Sequence, residues 1–230
     1  MIKENIAEIK KRMTSAALRV NRDPAEIKLL AVTKTHPVES IQMALENEID
    51  FIAENRIQEA EDKLPKLENL YKEFHFIGHL QSNKIKKLMS LNPALIHSID
   101  KLSTASKLND YLELNDLCQD ILIQINTSGE ASKFGIEPED AISFTKELSK
   151  LENLNVKGLM TIGMFTDDEQ TIRACFRKLK DIFDQLKNEQ IPEISMQYLS
   201  MGMTNDFEIA IEEGANIVRI GSAIFGNRNY

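Results

Sequence analysis

Lys34 has the clearest chemical potential in this sequence. It ends a short apolar run, Leu29 to Thr33, and Thr35-His36-Pro37 follows it. A run of this length and composition predicts a buried parallel strand with its carboxyl end at Lys34. Desolvation at such a place favours the neutral amine, which can attack an aldehyde and form an imine. The alternative is a lysine whose stem lies along the apolar wall while its ammonium reaches water.

A second group of candidates lies near the end of the chain, after two further apolar runs. Hydroxyl groups and glycine N–H groups are the donors that a phosphate requires, and glycine lets the backbone approach closely. The hydroxyl-bearing residues and glycines of this group therefore predict a phosphate site. The equally weighted alternative is that Gly202 and Gly221 only serve tight turns between strand and helix. The candidates are Ser200, Gly202, Thr204, Gly221 and Ser222.

Arg219 lies two residues before Gly221, so both should point to the same side of a strand. An arginine inside a protein is costly unless it is paired or engaged with a ligand. Arg219 is therefore expected either to meet a ligand or to form a salt bridge with Glu54 or another carboxylate at a strand end. The two interpretations are compatible.

Eight short apolar runs alternate with amphipathic stretches, and these are the elements that would position the candidates. The predicted strands are 27–33, 51–53, 75–78, 95–99, 121–126, 156–161, 198–201 and 217–220. The predicted helices between and after them are 38–46, 57–67, 84–89, 101–114, 138–151, 169–186 and 206–213. Apolar residues at helical spacing from Ile2 to Val20 predict one further amphipathic helix at the start.

Strands that alternate with helices favour parallel pairing through right-handed crossovers. Eight such units predict an α/β protein with one (β/α)8 TIM barrel over residues 1–230, preceded by the N-terminal helix. An open doubly wound sheet is the competing architecture, but no Gly-x-Gly-x-x-Gly follows the first strand. In a barrel the loops after strands seven and eight commonly bind phosphate, which places the candidates above on the functional face.

Composition excludes several classes of function. The net charge of −8 argues against nucleic acid as the main partner, because phosphate backbones need a basic surface. The charged N-terminus does not suit a signal peptide, and no stretch has the length of a membrane span. Cys118 and Cys175 have no metal or CxxC spacing, so we expect inert thiols in a reduced cytoplasmic compartment.

Metal and hydrolase chemistry are also disfavoured. His75 and His79 are four residues apart, but on a strand this spacing separates them by more than about 10 Å. No cluster of further metal ligands accompanies the two histidines, so no metal site is predicted. A Ser-His-Asp hydrolase would need a Gly-x-Ser-x-Gly elbow, which the sequence lacks.

The sequence resembles one family closely, the pyridoxal phosphate homeostasis proteins. These are barrels of fold type III, like the N-terminal domain of alanine racemase, that bind pyridoxal 5'-phosphate (PLP). The resemblance covers nearly the whole chain, and its most specific block is His75 to Lys84. The other matching blocks are 30–37, 54–59, 123–126, 158–163, 199–203 and 218–221.

The resemblance implies a monomeric barrel that holds PLP as an internal aldimine on Lys34. It also implies phosphate contacts from Ser200, Gly221 and Ser222, with Arg219 and Asn55 beside the ring. Family members look like carriers or buffers of the cofactor without established turnover, so no catalytic residue is expected. Apo-enzymes that depend on PLP are the expected partners. Ser222 replaces the commoner threonine of the family and keeps its hydroxyl.

The alternative function is a PLP-dependent amino-acid racemase, which needs a second acid/base opposite Lys34. Enzymes of the alanine racemase type take that group, a tyrosine, from a second domain of a partner subunit. The chain ends at Tyr230, just past the last predicted strand, so we expect no such domain. A Schiff-base aldolase without cofactor ranks last, because Lys157 lies at the wrong end of its strand. Lys133 matches a family position, and we interpret it as a solvated loop lysine.

Overall fold

The computed structural model describes residues 1–130, 132–189, 191–192 and 194–226. Eight parallel strands form a closed barrel in sequence order, with β1 paired to β8. The strands are β1 Lys28–Val32, β2 Phe51–Glu54, β3 Glu73–Phe76, β4 Leu95–Ile99, β5 Gln119–Gln124, β6 Leu154–Met160, β7 Ile194–Ser200 and β8 Ile217–Ile220. The predicted (β/α)8 barrel is confirmed.

Helices surround the barrel, and one precedes it as predicted. Within the described residues they are α1 Ile2–Arg19, α2 Val38–Leu45, α3 Ile57–Lys63, α4 Ile85–Met89, α5 Leu102–Leu114, α6 Ala141–Leu148, α7 Glu169–Asn188, α8 Phe207–Glu212 and α9 Ser222–Phe225. Helix α1 packs against α2, α8 and α9, and the Asn5 side chain donates to the carbonyl of Ile224 at 2.9 Å. None of these helices is both long and apolar enough to cross a membrane.

Several predicted boundaries were wrong by a few residues. Strand β7 begins at Ile194 and not at Tyr198. Residues in its first half are alternately half-exposed and exposed, so this half forms no apolar run and was missed in the sequence. The predicted helix 57–67 ends as an α-helix at Lys63, and a 3-10 turn that contains Pro65 follows it. Helix α9 is a single turn, too short for a periodic pattern, and was not predicted.

The core has two parts. The larger part fills the layer between the strands and the helices, with residues such as Phe74, Phe176 and Phe207 fully buried. The smaller part fills the inside of the barrel and consists of Leu30, Ala53, Leu95, Leu122, Met160 and Ile217. Buried polar residues accompany it, and those that matter below are His75, His97, Ser200 and Arg219.

Candidate functional site

A cavity of about 420 Å³ opens at the carboxyl ends of the strands. This volume lies in the range of small-molecule and cofactor sites. Five of the candidates predicted from the sequence line it: Lys34, Thr204, Arg219, Gly221 and Ser222. The chain therefore brings the loops after β1 and β8 to one site, as expected for the functional face of a TIM barrel.

The loop that carries Lys34 has an unusual backbone. Thr35, the next residue, has φ of 65°, a left-handed conformation that a β-branched residue rarely adopts. Its N–H donates to the Glu59 carboxylate at 2.6 Å. This contact holds the turn that presents Lys34, which is half-buried, to the cavity.

Behind this loop lies a cluster of charges that we call the ionic support, made of Glu54, Glu59 and Lys63. The Lys63 ammonium donates to Glu54 at 2.8 Å, to Glu59 at 2.7 Å and to the carbonyl of Thr33 at 2.9 Å. The Thr33 hydroxyl donates to Glu54 at 2.7 Å. Burial raises the pKa of Glu54, whereas hydrogen bonds from Lys63 and from the N–H of Thr35 outweigh burial and lower the pKa of Glu59. The ionic support thus contacts the residues on both sides of Lys34.

A second group, the hydroxyl cluster, consists of Thr204, Gly221 and Ser222 and lines the same cavity. The Ser222 and Thr204 hydroxyls lie 3.1 Å apart, and the N–H of Ala223 donates to the Thr204 hydroxyl at 3.4 Å. Thr204 belongs to the loop after β7, and it was one of the phosphate candidates predicted from the sequence. The hydroxyl cluster supplies the kind of donors that a phosphate requires.

Gly202 and Gly221, the two glycines among the phosphate candidates, have different roles. Gly202 has φ of +91°, and a Cβ there would lie 2.5 Å from the Cβ of Ala210. It is needed for the turn and for the close packing of α8, and it is not part of the cavity lining. Gly221 does line the cavity. The turn alternative therefore applies to Gly202, whereas Gly221 remains a candidate for phosphate.

Arg219 reaches the cavity from inside the barrel, where only 4% of the residue is exposed. It donates to the Ser200 hydroxyl at 2.7 Å and to the carbonyl of Thr161 at 2.8 Å. Burial lowers the pKa of Arg219 to about 10, so the guanidinium is still charged at neutral pH. Glu54 pairs with Lys63 instead, and no described carboxylate lies within 4.0 Å of Arg219, so the proposed salt bridge with Glu54 was wrong.

Ser200 and Asn55 lie outside the described lining of the cavity. Ser200 is fully buried beneath it, with its hydroxyl 2.9 Å from Nδ1 of His97. The side-chain oxygen of Asn55 is buried and has no hydrogen-bond partner among the described residues. Gly78 lets the loop after β3 approach this segment, because a Cβ on Gly78 would lie 2.0 Å from the Asn55 carbonyl oxygen.

Lys133 is not a solvated loop lysine. Its side chain is 23% exposed and lines the cavity. It donates to Glu130 at 2.5 Å and to the carbonyl of Gly163 at 2.8 Å. The loop after β6 forms the rest of the mouth, where Phe165 is 90% exposed. The apolar and charged residues at the opening of the cavity lie on loops. The pattern of strands in the sequence does not predict how these loops fold.

No group of three or more potential metal ligands is found among the described residues. Cys118 and Cys175 are both unpaired.

A match to a known family defines the class of this barrel. The family model described as alanine racemase, N-terminal domain, matches residues 2–229. Among curated relatives, a pyridoxal phosphate homeostasis protein of Aquifex aeolicus is 40% identical over 227 residues, which cover 99% of this chain and 98% of the relative. The chain belongs to the pyridoxal phosphate homeostasis protein family, as its motifs indicated.

Solved structures agree with this assignment. A protein from Bifidobacterium adolescentis superposes with a TM-score of 0.92 at 34% identity, covering 97% of this chain and 94% of its own. PipY of Synechococcus elongatus, solved with PLP bound, superposes with a TM-score of 0.83 at 29% identity and covers 98% of this chain and 100% of its own.

Proposed function

We propose that this protein binds PLP through Lys34 and takes part in PLP homeostasis by holding and releasing the cofactor. The observation that carries the proposal is that Lys34, Arg219 and the hydroxyl cluster line one cavity. The names of the relatives and the PLP found in PipY support the same conclusion. We further propose that the protein is a cytoplasmic monomer and that its partners are apo-enzymes that use PLP.

The residues present fit this cofactor. PLP supplies an aldehyde, which condenses with a primary amine and releases water, and it also carries a phosphate and a pyridine ring. Lys34 is the amine, and the hydroxyl cluster offers two hydroxyls and the backbone of Gly221 for the phosphate. The buried oxygen of Asn55, which lacks a partner among the described residues, marks a polar position near β2 that a ligand group can satisfy.

Thr204, Gly221 and Ser222 are the phosphate ligands that we propose. Ser200 was expected in this role from the resemblance. Its position beneath the cavity and its contact with Arg219 favour a different one, as support for Arg219. Arg219 would lie beside the ring, where its positive charge disfavours protonation of the pyridine nitrogen. An unprotonated ring is a weak electron sink, which favours a carrier over an enzyme.

The racemase alternative needs a second acid/base opposite Lys34. Tyr71, Tyr111 and Tyr198 are not part of the described lining of the cavity. Tyr198 lies near the other end of the barrel, where Lys28 is 5.2 Å from its ring. Tyr230, the tyrosine considered from the sequence, lies outside the described residues. The arrangement supports a non-catalytic role.

The phosphate assignment is tested by Thr204→Val. Hydrogen bonds to a charged group contribute about 1.5–3 kcal/mol, so the variant should bind PLP at least tenfold more weakly. Binding of pyridoxal, which lacks the phosphate, should hardly change. Thr14→Val, on the exposed surface of α1, is the matched control. An equal loss for both ligands would assign Thr204 to the fold and not to the phosphate.

The carrier role is tested by mixing the loaded protein with an excess of an apo-enzyme that depends on PLP. We expect the activity of that enzyme to recover faster than spontaneous hydrolysis of the loaded protein would supply free PLP. In parallel, incubation with L-amino acids in deuterated water should show no catalytic exchange of the α-proton by NMR. Many exchanges per site would replace the carrier with a racemase-like enzyme.

A further inference from the structure

A chain of buried polar side chains crosses the barrel beneath Arg219, and we call it the interior relay. It runs from Arg219 to Ser200 at 2.7 Å, from Ser200 to Nδ1 of His97 at 2.9 Å, and from Nε2 of His97 to Nδ1 of His75 at 2.8 Å. It ends where Nε2 of His75 meets the Glu73 carboxylate at 2.9 Å. Both histidines are at most 1% exposed.

The interior relay connects two faces of the molecule. Arg219 lines the cavity at the carboxyl end of the barrel. Glu73 and His75 line a smaller pocket of about 200 Å³, built by residues at the amino ends of the strands. Lys28 donates to Glu73 there at 2.9 Å. The relay therefore extends through the barrel interior, where packed branched apolar side chains ordinarily dominate in this fold.

With both histidines neutral, the two ends of the relay fix the direction of every hydrogen bond between them. A guanidinium can only donate, so the Ser200 oxygen accepts from Arg219. An ionised carboxylate can only accept, and the hydrogen bond from His75 lowers the pKa of Glu73 to about 2. A neutral His75 therefore carries its proton on Nε2 and accepts at Nδ1.

The middle of the relay follows from these ends. Because Nδ1 of His75 accepts, Nε2 of His97 donates to it, and Nδ1 of His97 is left as an acceptor for the Ser200 hydroxyl. In this order all four contacts pair one donor with one acceptor, and both histidines are neutral. The opposite order with neutral histidines would set the unprotonated Nε2 of His75 against the Glu73 carboxylate.

The surroundings of the histidines agree with neutral rings. Burial lowers the pKa of both His75 and His97. The charged groups that face them are Lys28 on β1, Glu73 on β3 and Arg219 on β8, with Asp120 of β5 at the lower pocket. Lys28 and Arg219 both oppose a positive charge on His97.

We propose that His97 and His75 are positioning residues for Arg219, and that through Ser200 they orient its guanidinium toward the ligand in the cavity. The assignment rests on the proposed function for the identity of that ligand. It also gives Ser200 a definite task, because its hydroxyl hydrogen is donated to His97 and is not available to a phosphate.

The direction of the relay is tested on the apo-protein, which makes the result independent of PLP binding. Long-range proton–nitrogen NMR on 15N-histidine protein should show both rings as neutral Nε2–H tautomers that do not titrate between about pH 5 and pH 8. An Nδ1–H tautomer at either residue, or titration near the ordinary histidine value, would overturn the proposal.

The positioning role is tested with His97→Leu and His97→Gln. Leucine breaks the relay, whereas glutamine can accept from Ser200 with its oxygen and donate to His75 with its nitrogen. We expect His97→Leu to weaken the binding of PLP and of pyridoxal by the same factor, about tenfold, and to shift the visible absorption of the bound cofactor. His97→Gln should restore both. Equal behaviour of the two variants would contradict the proposal.

The control for loss of a buried polar group is Thr145→Val. The Thr145 hydroxyl is fully buried but bonds only the carbonyl of Ala141 in its own helix among the described contacts, at 2.7 Å. This variant should lower stability without changing cofactor absorption. A spectral shift as large as that of His97→Leu would show that the readout reports general destabilisation and would remove the support for a positioning role.

Discussion

Lys34 and Arg219 are two basic residues at one cavity, and the molecule supports them in opposite ways. Lys34 lies in a loop that is held from behind by other charges, the ionic support of Glu54, Glu59 and Lys63. Arg219 lies within a strand, and its guanidinium donates to neutral groups, the Ser200 hydroxyl and the Thr161 carbonyl.

The difference follows from what each position offers. A loop has no ladder of strand hydrogen bonds, so side chains must satisfy its backbone, and Lys63 and Glu59 do so for Thr33 and Thr35. The inside of the barrel offers little solvation, and a second charge beside Arg219 would add its own desolvation cost. The neutral side chains of the interior relay, which link Arg219 to the partly exposed Glu73, avoid that desolvation cost.

Removal of the central charge of the ionic support should have the largest effect on stability. Lys63→Met leaves the Glu54 carboxylate, which is 1% exposed, without its cation. Loss of one partner of a buried pair costs about 3 kcal/mol, and we expect this loss in urea unfolding near pH 8. Lys72→Met is the control, because Lys72 and Asp50 form an exposed pair that contributes less than about 1 kcal/mol.

The same variant has a predicted pH dependence. Burial raises the pKa of Glu54 above that of the unfolded chain, so the folded state binds the proton more tightly and loses stability as pH rises. Without Lys63 this effect should grow. The deficit of Lys63→Met should therefore be smaller near pH 5 than near pH 8. A deficit that does not change with pH would show that Glu54 is not the affected group.

An intermediate effect is expected at the far end of the interior relay. The hydrogen bond from His75 lowers the pKa of Glu73 to about 2, so its contribution is present above the unfolded value and is lost as pH falls toward 2. Glu73→Gln should cost about 1 kcal/mol at neutral pH, after allowance for the partial exposure of the side chain. The difference from the unmodified protein should disappear between about pH 4.5 and pH 2, as urea titrations at several pH values would show.

Glu113→Gln, on the exposed face of α5, is the control for this experiment and should leave stability unchanged at every pH. A Glu73→Gln deficit that persists at low pH would mean that Glu73 acts through packing and not as the charged end of the relay.

The smallest effect concerns the backbone beside Lys34. Thr35→Gly removes a β-branched residue from a φ of 65°, where strain costs about 1 kcal/mol or more. Part of this gain is offset by the greater freedom of glycine in the unfolded chain. We expect a net stabilisation of about 0.5 kcal/mol by thermal unfolding. Asn92→Gly, at φ of 49°, should change little because asparagine tolerates this region. Destabilisation by Thr35→Gly would show that its side-chain contacts outweigh the strain.

The sequence predicted the barrel because each strand carries an apolar run and each crossover a helical period. It also predicted Lys34 and Gly221, which follow the ends of apolar strands. It placed the end of β7 at Met201, whereas the strand ends at Ser200. Ser200 is therefore buried beneath the cavity and does not line it, whereas Thr204, also a candidate from the sequence, lies in the loop and lines it.

The supports of the site could not be predicted in the same way. His97 is a single polar residue in the apolar run of β4, and its partners on β3 and β7 are set by strand register and barrel closure. The ionic support was partly visible, because Glu59 and Lys63 have the i, i+4 spacing of a helical pair. Its third member, Glu54, comes from a strand, and the position of α3 against β2 brings it close.

The central claim is that PLP is joined to Lys34. The most direct test is borohydride reduction of the loaded protein, followed by digestion and mass mapping of the modified peptide. We expect one modified lysine, Lys34, and no fixed label in Lys34→Ala. A label on Lys133, which lines the same cavity, or on Lys157 at the other end of the barrel would contradict it.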